Sequence, residues 1–154
     1  MRRNLFAVLL LWIAALGLIG CQRGSGYQVQ PDAVREAEQF TVDVVCRSED
    51  VLRIFYSCYI DGQERGMGGL ADLDGAVIQP GRTFSIPFSQ ESFEEGDDLS
   101  LFSMTLSPYG EGDVREAGTT DPVAIPAQYG ERYTVVLSGD REAGFTAAVE
   151  QEET

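Results

Sequence analysis

The stretch Phe40-Thr41-Val42-Asp43-Val44-Val45-Cys46 decides the fold class of this chain. Apolar side chains occupy every second position from Phe40 to Cys46, and the polar side chains of Thr41 and Asp43 stand between them. A repeat of two places the apolar side chains on one face of a β-strand, because successive side chains of a strand point to opposite faces. The stretch therefore predicts a strand with one buried face.

The same alternation recurs through the rest of the chain. Residues 51–60 are rich in β-branched and aromatic side chains, which favour strands. In residues 84–88, Pro87 lacks a backbone N–H, so we expect this strand to lie at a sheet edge or to end there. Further strands are predicted at residues 102–106, 133–137 and 145–149, and the last two form a hairpin through Gly139-Asp140-Arg141-Glu142. This pattern predicts an all-β fold, an antiparallel β-sandwich of about seven strands in one domain, residues 39–150.

The composition limits the chemistry that is open to the chain. Its 154 residues include no histidine and no lysine, and the formal charge is -14. Histidine is the commonest general base and metal ligand, and lysine is needed for Schiff-base chemistry. We therefore expect that the chain is not an enzyme and holds no cofactor. An acidic surface repels phosphates, so we also expect no nucleic-acid partner.

The N-terminus has the layout of an export signal. Residues 5–20 carry no charge and follow Met1-Arg2-Arg3, a basic start before an apolar segment that is short for a membrane span. Leu18-Ile19-Gly20-Cys21 resembles the lipobox of bacterial lipoproteins. An ordinary signal peptide and an uncleaved anchor are the alternatives.

The lipobox resemblance implies a modification and a location. Residues 1–20 would form a lipoprotein signal peptide with a signal helix, and cleavage would leave Cys21 carrying a diacylglycerol and a fatty acid such as palmitate. Residues 21–38 are small or polar, which is typical of a flexible tether after the lipidated cysteine. Residues 151–154 form an acidic C-terminal end. The domain is therefore expected to be extracytoplasmic, anchored to a bacterial membrane by its N-terminal lipid.

The segment from Pro126 to Tyr133 resembles the start of the penultimate strand in immunoglobulin-like and fibronectin type III domains. In those domains a tyrosine near the start of the strand donates a hydrogen bond to upstream backbone, the tyrosine corner. The resemblance implies that Tyr133 has this role and that the sandwich is immunoglobulin-like. A tyrosine that only packs in the core is the alternative.

Cys46 and Cys58 are the two cysteines that remain beside Cys21. An oxidising envelope favours a disulfide between them. If residues 48–50 turned a simple hairpin, the two would lie about 20 Å apart along the strands, whereas a disulfide needs α-carbons within about 7 Å. The bridge therefore requires an irregular crossover, and two buried free thiols are the alternative.

Two acidic loops are candidate calcium sites. Both lack the ligand spacing of an EF-hand, so turns and solvated loops are favoured and no metal is expected. The calcium candidates are Asp72 and Asp74 in the first loop, and Glu94, Glu95, Asp97 and Asp98 in the second.

Together these features favour a non-catalytic interaction or structural module of the cell envelope. Its partners would be the membrane, through the lipid, and an envelope protein or glycan contacted by residues 48–50, 66–75 and 94–98. A calcium- or glycan-binding accessory domain is the alternative. A glycoside hydrolase would require two carboxylates that converge in a cleft at about 5 to 9 Å.

Replacing the proposed lipid-bearing cysteine tests the membrane attachment. We expect Cys21→Ser to release the protein from the membrane fraction or to leave an unprocessed precursor, because serine cannot form the thioether. Cell fractionation and mass spectrometry measure this, with Cys46→Ser as the control. Mass spectrometry that finds an unmodified thiol on Cys21 of the natural protein would contradict the prediction.

Overall fold

The computed structural model of this protein describes residues 37–113 and 115–150. The predicted signal helix, the predicted lipidation site Cys21, most of the predicted tether and the acidic end at residues 151–154 lie outside the described residues. None of the helices in the described part of the chain has the length and apolar character needed to cross a membrane.

Two four-stranded sheets form the domain, with strand orders β4-β1-β7-β8 and β3-β2-β5-β6. The prediction of an all-β fold is confirmed, and the described residues contain eight strands where about seven were expected. The strands are β1 Gln39–Cys46, β2 Arg53–Ile60, β3 Gln63–Ala71, β4 Arg82–Ser89, β5 Phe102–Tyr109, β6 Val123–Ala124, β7 Arg132–Asp140 and β8 Gly144–Glu150. Two short 3-10 helices, Gln90–Ser92 and Leu99–Leu101, lie between β4 and β5.

One pair of strands departs from the antiparallel expectation. β1 and β7 run parallel, with registers from Thr41 opposite Arg132 to Cys46 opposite Leu137. β7 takes this direction because the segment before it returns to the end where β1 begins, and there the Gly130 N–H donates to the Gln39 carbonyl at 2.8 Å. The sheet that contains β1 is therefore mixed, and the expected purely antiparallel sandwich was wrong at this pair.

The sandwich has two ends, which we name by the course of β1. The near end is where β1 begins at Gln39, and the connections β2–β3, β4–β5 and β6–β7 lie there. The far end is where β1 stops at Cys46, and the connections β1–β2, β3–β4, β5–β6 and β7–β8 lie there. At the far end the Ile78 N–H donates to the Val51 carbonyl at 2.7 Å and ties two of these connections together.

The core lies between the inner faces of the two sheets. Phe40 is fully buried and stacks on Phe88, with ring centroids 5.1 Å apart, while Phe102 meets it edge-on at 5.2 Å. β4 carries Phe88 and lies at the edge of its sheet, so the placement predicted from Pro87 is confirmed. The alternation predicted for β1 is also confirmed, because Phe40, Val42, Val44 and Cys46 are all buried.

The third strand was not predicted, because it contains three glycines and residues 66–75 were interpreted as a loop. The glycines stand opposite large side chains of β2, with Gly68 paired to Tyr56 and Gly69 paired to Phe55. A Cβ on Gly68 would overlap the Tyr56 ring, and one on Gly69 would lie 3.3 Å from the Phe55 ring. Aromatic rings that cover cross-strand glycines supply the packing that glycine lacks, so the segment forms a strand.

The sixth strand was also not predicted, because it has only two residues. Pro122 precedes Val123–Ala124 and Pro126 follows one residue later, so neither flanking proline can donate to a ladder. Pairing with β5 is limited to two residues, Ala124 opposite Ser103 and Val123 opposite Met104.

A methyl group added at Gly68 tests this account of β3. We expect Gly68→Ala to lower the free energy of unfolding by about 1 to 3 kcal/mol, because the new Cβ overlaps a ring held in the core. Gly69→Ala is the matched control and should change it by no more than about 0.5 kcal/mol, since the half-exposed Phe55 ring can move. Urea unfolding measures both, and equal effects would contradict the account.

Candidate functional site

An aromatic patch lies on the outer face of the sheet β3-β2-β5-β6, and we define it as Arg53, Phe55, Met67 and Tyr109. Strand alternation directs these side chains away from the core, whereas Ile54 and Cys58 of β2 are buried. Phe55 is 43% exposed and Met67 is 72% exposed. Two large apolar side chains are thus presented to solvent on a face of the sheet.

Three members of the patch, Arg53, Phe55 and Tyr109, hold one another in place. Arg53 and Tyr109 are cross-strand partners, and the Arg53 guanidinium carbon lies 4.9 Å from the Tyr109 ring centroid and 5.6 Å from that of Phe55. The two rings meet edge-on with centroids 5.2 Å apart. Cation–π stacking and the edge-on contact together fix the guanidinium over the rings.

The Tyr109 hydroxyl anchors the far-end side of the patch. It donates to Glu116 Oε2 at 3.2 Å. Desolvation, followed by this hydrogen bond, raises the pKa of Tyr109. The phenol is therefore protonated at neutral pH and acts as a donor.

A polar groove of about 520 Å³ opens at the far end, and Tyr109 lines it as well. Carboxylates dominate its rim, and Arg141 is the arginine that lines it. The lining carboxylates are Glu49, Asp50, Glu111, Asp140 and Glu142. The groove is lined by no histidine or lysine, and its carboxylates are groups that accept hydrogen bonds and attract cations.

An ion pair braces the groove between two of its connections. Arg141 of the β7–β8 turn donates to Asp113 of the β5–β6 connection, and the Gly110 N–H donates to the same carboxylate at 2.6 Å. The Arg141 guanidinium, followed by the Gly110 amide, holds the pKa of Asp113 below its ordinary value. Asp113 thus remains charged at neutral pH and fixes the turn.

The first calcium candidate is built as a turn. The Gly75 N–H donates to the Asp72 carbonyl at 3.0 Å, and the Ala76 N–H donates to Asp74 Oδ1 at 3.0 Å. Asp72 Oδ1 accepts from Arg82 Nε at 2.9 Å. Both carboxylates therefore have partners within the protein, as expected for a turn.

The second calcium candidate is organised around an ion pair. Arg65 Nε and one of its terminal nitrogens each donate to an Asp97 oxygen at 2.8 Å, and the Glu94 N–H donates to the same carboxylate at 3.0 Å. Asp98 accepts from the Ser100 N–H at 3.0 Å and caps the second 3-10 helix. Glu95 is exposed. Within residues 37–113 and 115–150, no three acidic or cysteine side chains are grouped to hold a metal ion.

Cys46 and Cys58 are both buried and both free. Residues 47–52 cross from one sheet to the other, so they do not turn a hairpin within one sheet. Cys46 lies at the far end, and Cys58 lies five residues along β2, about 17 Å towards the near end. This separation exceeds what a disulfide spans. Burial raises the pKa of each thiol.

Tyr133 makes the hydrogen bond expected of a tyrosine corner. Its hydroxyl donates to the Pro126 carbonyl at 3.1 Å and accepts from the Gln128 N–H at 3.1 Å. The segment before β7 is thereby fixed to the start of that strand.

The three stretches expected to contact a partner do not form one site. Residues 48–50 and 72–75 lie at the far end, residues 66–71 belong to β3, and residues 94–98 lie at the near end. The sequence interpretation missed the aromatic patch. The alternation in the sequence could have shown it. Phe55 and Tyr109 occupy positions of their strands that point to solvent, whereas Ile54 and Phe102 occupy the positions that point to the core.

Comparison with known proteins identifies no family. No family model matches the chain, and no curated protein matches its sequence. A protein from Eubacterium rectale solved by NMR is similar at 11% identity and a TM-score of 0.39. The similarity covers 75% of this chain and 92% of that protein. A structure described as "Trapped Toxin" is similar to 75% of this chain, which covers 24% of that one, at 13% identity and a TM-score of 0.31. Similarities this low identify no shared function.

The Arg65–Asp97 pair predicts a pH dependence of stability. The hydrogen bonds from Arg65 lower the pKa of Asp97 from its ordinary 3.8, so the pair stabilises the fold above that pH. This contribution is lost as the pH falls through the lowered pKa. We expect Asp97→Asn to be less stable than wild type at pH 7 and to lose less stability between pH 5 and pH 2.

Urea unfolding at several pH values measures the effect. Glu95→Gln, which removes an exposed carboxylate of the same loop, is the control and should keep the wild-type pH profile. An Asp97→Asn profile parallel to wild type would contradict the prediction.

Proposed function

We propose that this protein is a lipid-anchored, extracytoplasmic binding module of a bacterial envelope, and that its aromatic patch contacts an envelope protein. The exposed cluster of Arg53, Phe55, Met67 and Tyr109 is the observation that carries this proposal. Lipidation of Cys21 rests on the lipobox resemblance, and the module is non-catalytic.

The patch has the composition of an interface centre. Protein interfaces are enriched in aromatic residues, methionine and arginine, and tyrosine and arginine are frequent hot spots. Exposed side chains of this kind stand together on one sheet face, whereas single exposed apolar residues elsewhere need no explanation. Ser57, Thr105 and Ser107 surround the patch with hydroxyl groups on the same face, which suits a polar rim.

The connectivity supports an immunoglobulin-like interpretation of six strands. β1 and β4 pair as the B and E strands of such domains do, and β3-β2-β5-β6 follows the order C′-C-F-G. β7 and β8 depart from that plan, since β7 pairs in parallel with β1 at the place of the A strand. Tyr133 therefore lies at the start of β7 and not of the F strand, where such domains have their tyrosine corner. We propose an immunoglobulin-like sandwich with a C-terminal hairpin added to one sheet. In it the patch lies on the C′-C-F-G face.

The proposed tether enters the domain at the end opposite to Arg53 and Tyr109. It leads into β1 at the near end, whereas Arg53 begins β2 and Tyr109 ends β5 at the far end. As a flexible chain, residues 21–38 would have a root-mean-square reach of about 20 to 25 Å. Such a tether gives the domain reach and does not fix its orientation to the bilayer.

A non-catalytic role agrees with the chemistry of the groove. The groove is lined by no histidine, lysine, serine or cysteine, and its arginine is paired with Asp113, so carboxylates are the charged groups that it offers, and the proposal assigns them to binding. No feature of the described groove residues favours calcium or a glycan over a protein partner.

In-cell crosslinking tests the proposed patch. We expect the double variant Phe55→Ser and Tyr109→Ser to lower the yield of crosslinked partner at least about tenfold, because truncating hot-spot residues costs about 2 kcal/mol or more. Crosslinking in intact cells followed by affinity purification under denaturing conditions and quantitative mass spectrometry measures the yield.

Leu101→Ser is the matched control, since Leu101 is 49% exposed and lies at the near end, away from the patch. It should leave the yield unchanged. Equal crosslinking by wild type, the patch variant and the control, with all three folded by circular dichroism, would overturn the proposal.

A further inference from the structure

The edge of the sheet beside the patch is an open strand. β3 is nine residues long and, within residues 37–113 and 115–150, pairs only with β2, on one side. Among the described residues, no backbone hydrogen bond joins Gln63–Ala71 to any other segment. In an antiparallel pair alternate residues direct both backbone groups away from the partner, so this edge presents a row of unpaired N–H and C=O groups.

The other edges of the two sheets are better protected against added strands. β4 contains Pro87, which lacks a donor, and β6 has only two residues. β8 packs near β5 and β6 of the opposite sheet. In β3 a bulge at Arg65 interrupts only the near-end part, and Gly66 to Ala71 contains neither proline nor charge. Edge strands are usually protected by such features, and this stretch has none.

The two ends of this edge differ in charge. At the near end a shallow pocket of about 240 Å³ is lined by Glu64, Arg65, Glu91 and Glu94, and Arg65 is already bound by Asp97. At the far end Asp72 is bound by Arg82, and Arg53 of β2 stands opposite Ala71, so arginines balance the carboxylates there. The open edge is therefore uncharged in its centre and acidic at its near end.

We propose that β3 binds an extended peptide segment of the partner as a fifth strand of this sheet. The segment would have small or apolar residues in its centre and arginine or lysine at the end that lies against the near end of β3. Backbone hydrogen bonds to β3 supply affinity, and alternate side chains of the segment supply specificity. This inference deepens the proposed function and rests on it, because the added strand would place its outward side chains next to Met67 and the aromatic patch.

Charge decides between this segment and a second copy of the chain. Antiparallel pairing of β3 with its copy would place the uncharged Gly66–Ala71 stretch of one molecule opposite the acidic near end of the other, with no basic residue of that stretch to pair with it. Each chain carries a formal charge of -14, so two copies repel each other over their whole surface as well. A segment with a basic end is attracted to the acidic near end.

A peptide selection tests the inference. The probe is a displayed library of random nine-residue peptides, screened against the full chain purified in detergent. We expect the selected peptides to carry arginine or lysine near one end, with β-branched or aromatic residues in the rest of the peptide. Amide hydrogen exchange should then show protection gained at alternate residues of Gln63–Ala71, and none gained at β4 or β8.

Matched variants test the acidic near end. We expect the double variant Glu64→Gln and Glu94→Gln to weaken peptide binding roughly threefold to tenfold, the effect of two partly exposed charge pairs. Glu142→Gln, an exposed carboxylate of the far-end groove, should leave the affinity unchanged. Both variants keep the β3 backbone intact.

Several outcomes would overturn the inference. They are a screen that yields no peptide, peptides that bind without protecting β3, amides of β3 already protected in the chain alone, and self-association abolished by changes in β3. With any of these outcomes, the proposed function still holds if the patch variant loses its crosslinked partner. Conversely, if peptides protect β3 but the patch variant keeps its crosslinked partner, the role of the aromatic patch is contradicted and the role of the β3 edge is supported.

Discussion

The structure depends on burying one face of β1 between the two sheets. β1 is a central strand, bonded to β4 on one side and β7 on the other, and its inward side chains are fully buried. Phe40 is the centre of an aromatic cluster with Phe88, Phe93 and Phe102. Each such side chain contributes about 1.5 to 3 kcal/mol on burial, and a slip of one residue would expose the whole set. The registers of β4 and β7 follow from this constraint.

The candidate functional features follow from packing on the other sheet. Tyr56 of β2 packs inward over Gly68, and Phe55, the preceding residue, packs outward over Gly69. The glycines thus let β3 pair closely with β2, and they leave the outer edge of β3 without bulky or charged side chains at these positions. The exposed Phe55 ring and the open edge consequently lie beside each other on one sheet, and they would form one continuous binding surface.

Arginine pairing explains how so acidic a chain forms a compact domain. Arg65, Arg82 and Arg132 each bind a carboxylate near the sheets, at Asp97, Asp72 and Asp43. Such pairs are individually weak near the surface, and they neutralise charges that would otherwise repel across the sheets. Arg53 differs, since it stacks on two aromatic rings and has no carboxylate bound to it among the described residues. Its guanidinium group therefore lies over the patch and is available to a partner.

The sequence by itself determined which segments alternate, and so six of the eight strands, the edge position of β4 and the Tyr133 hydrogen bond. These features are local, because a strand of period two or a tyrosine near its own upstream backbone needs no knowledge of distant residues. The tertiary structure alone decided the parallel pairing of β1 with β7, the strand at Gln63–Ala71 and the meeting of Arg53, Phe55 and Tyr109. Period two is the same in both strand directions, and glycine forms a strand only where a neighbouring ring covers it. Residues distant in sequence become one patch only through the register of β2 with β5.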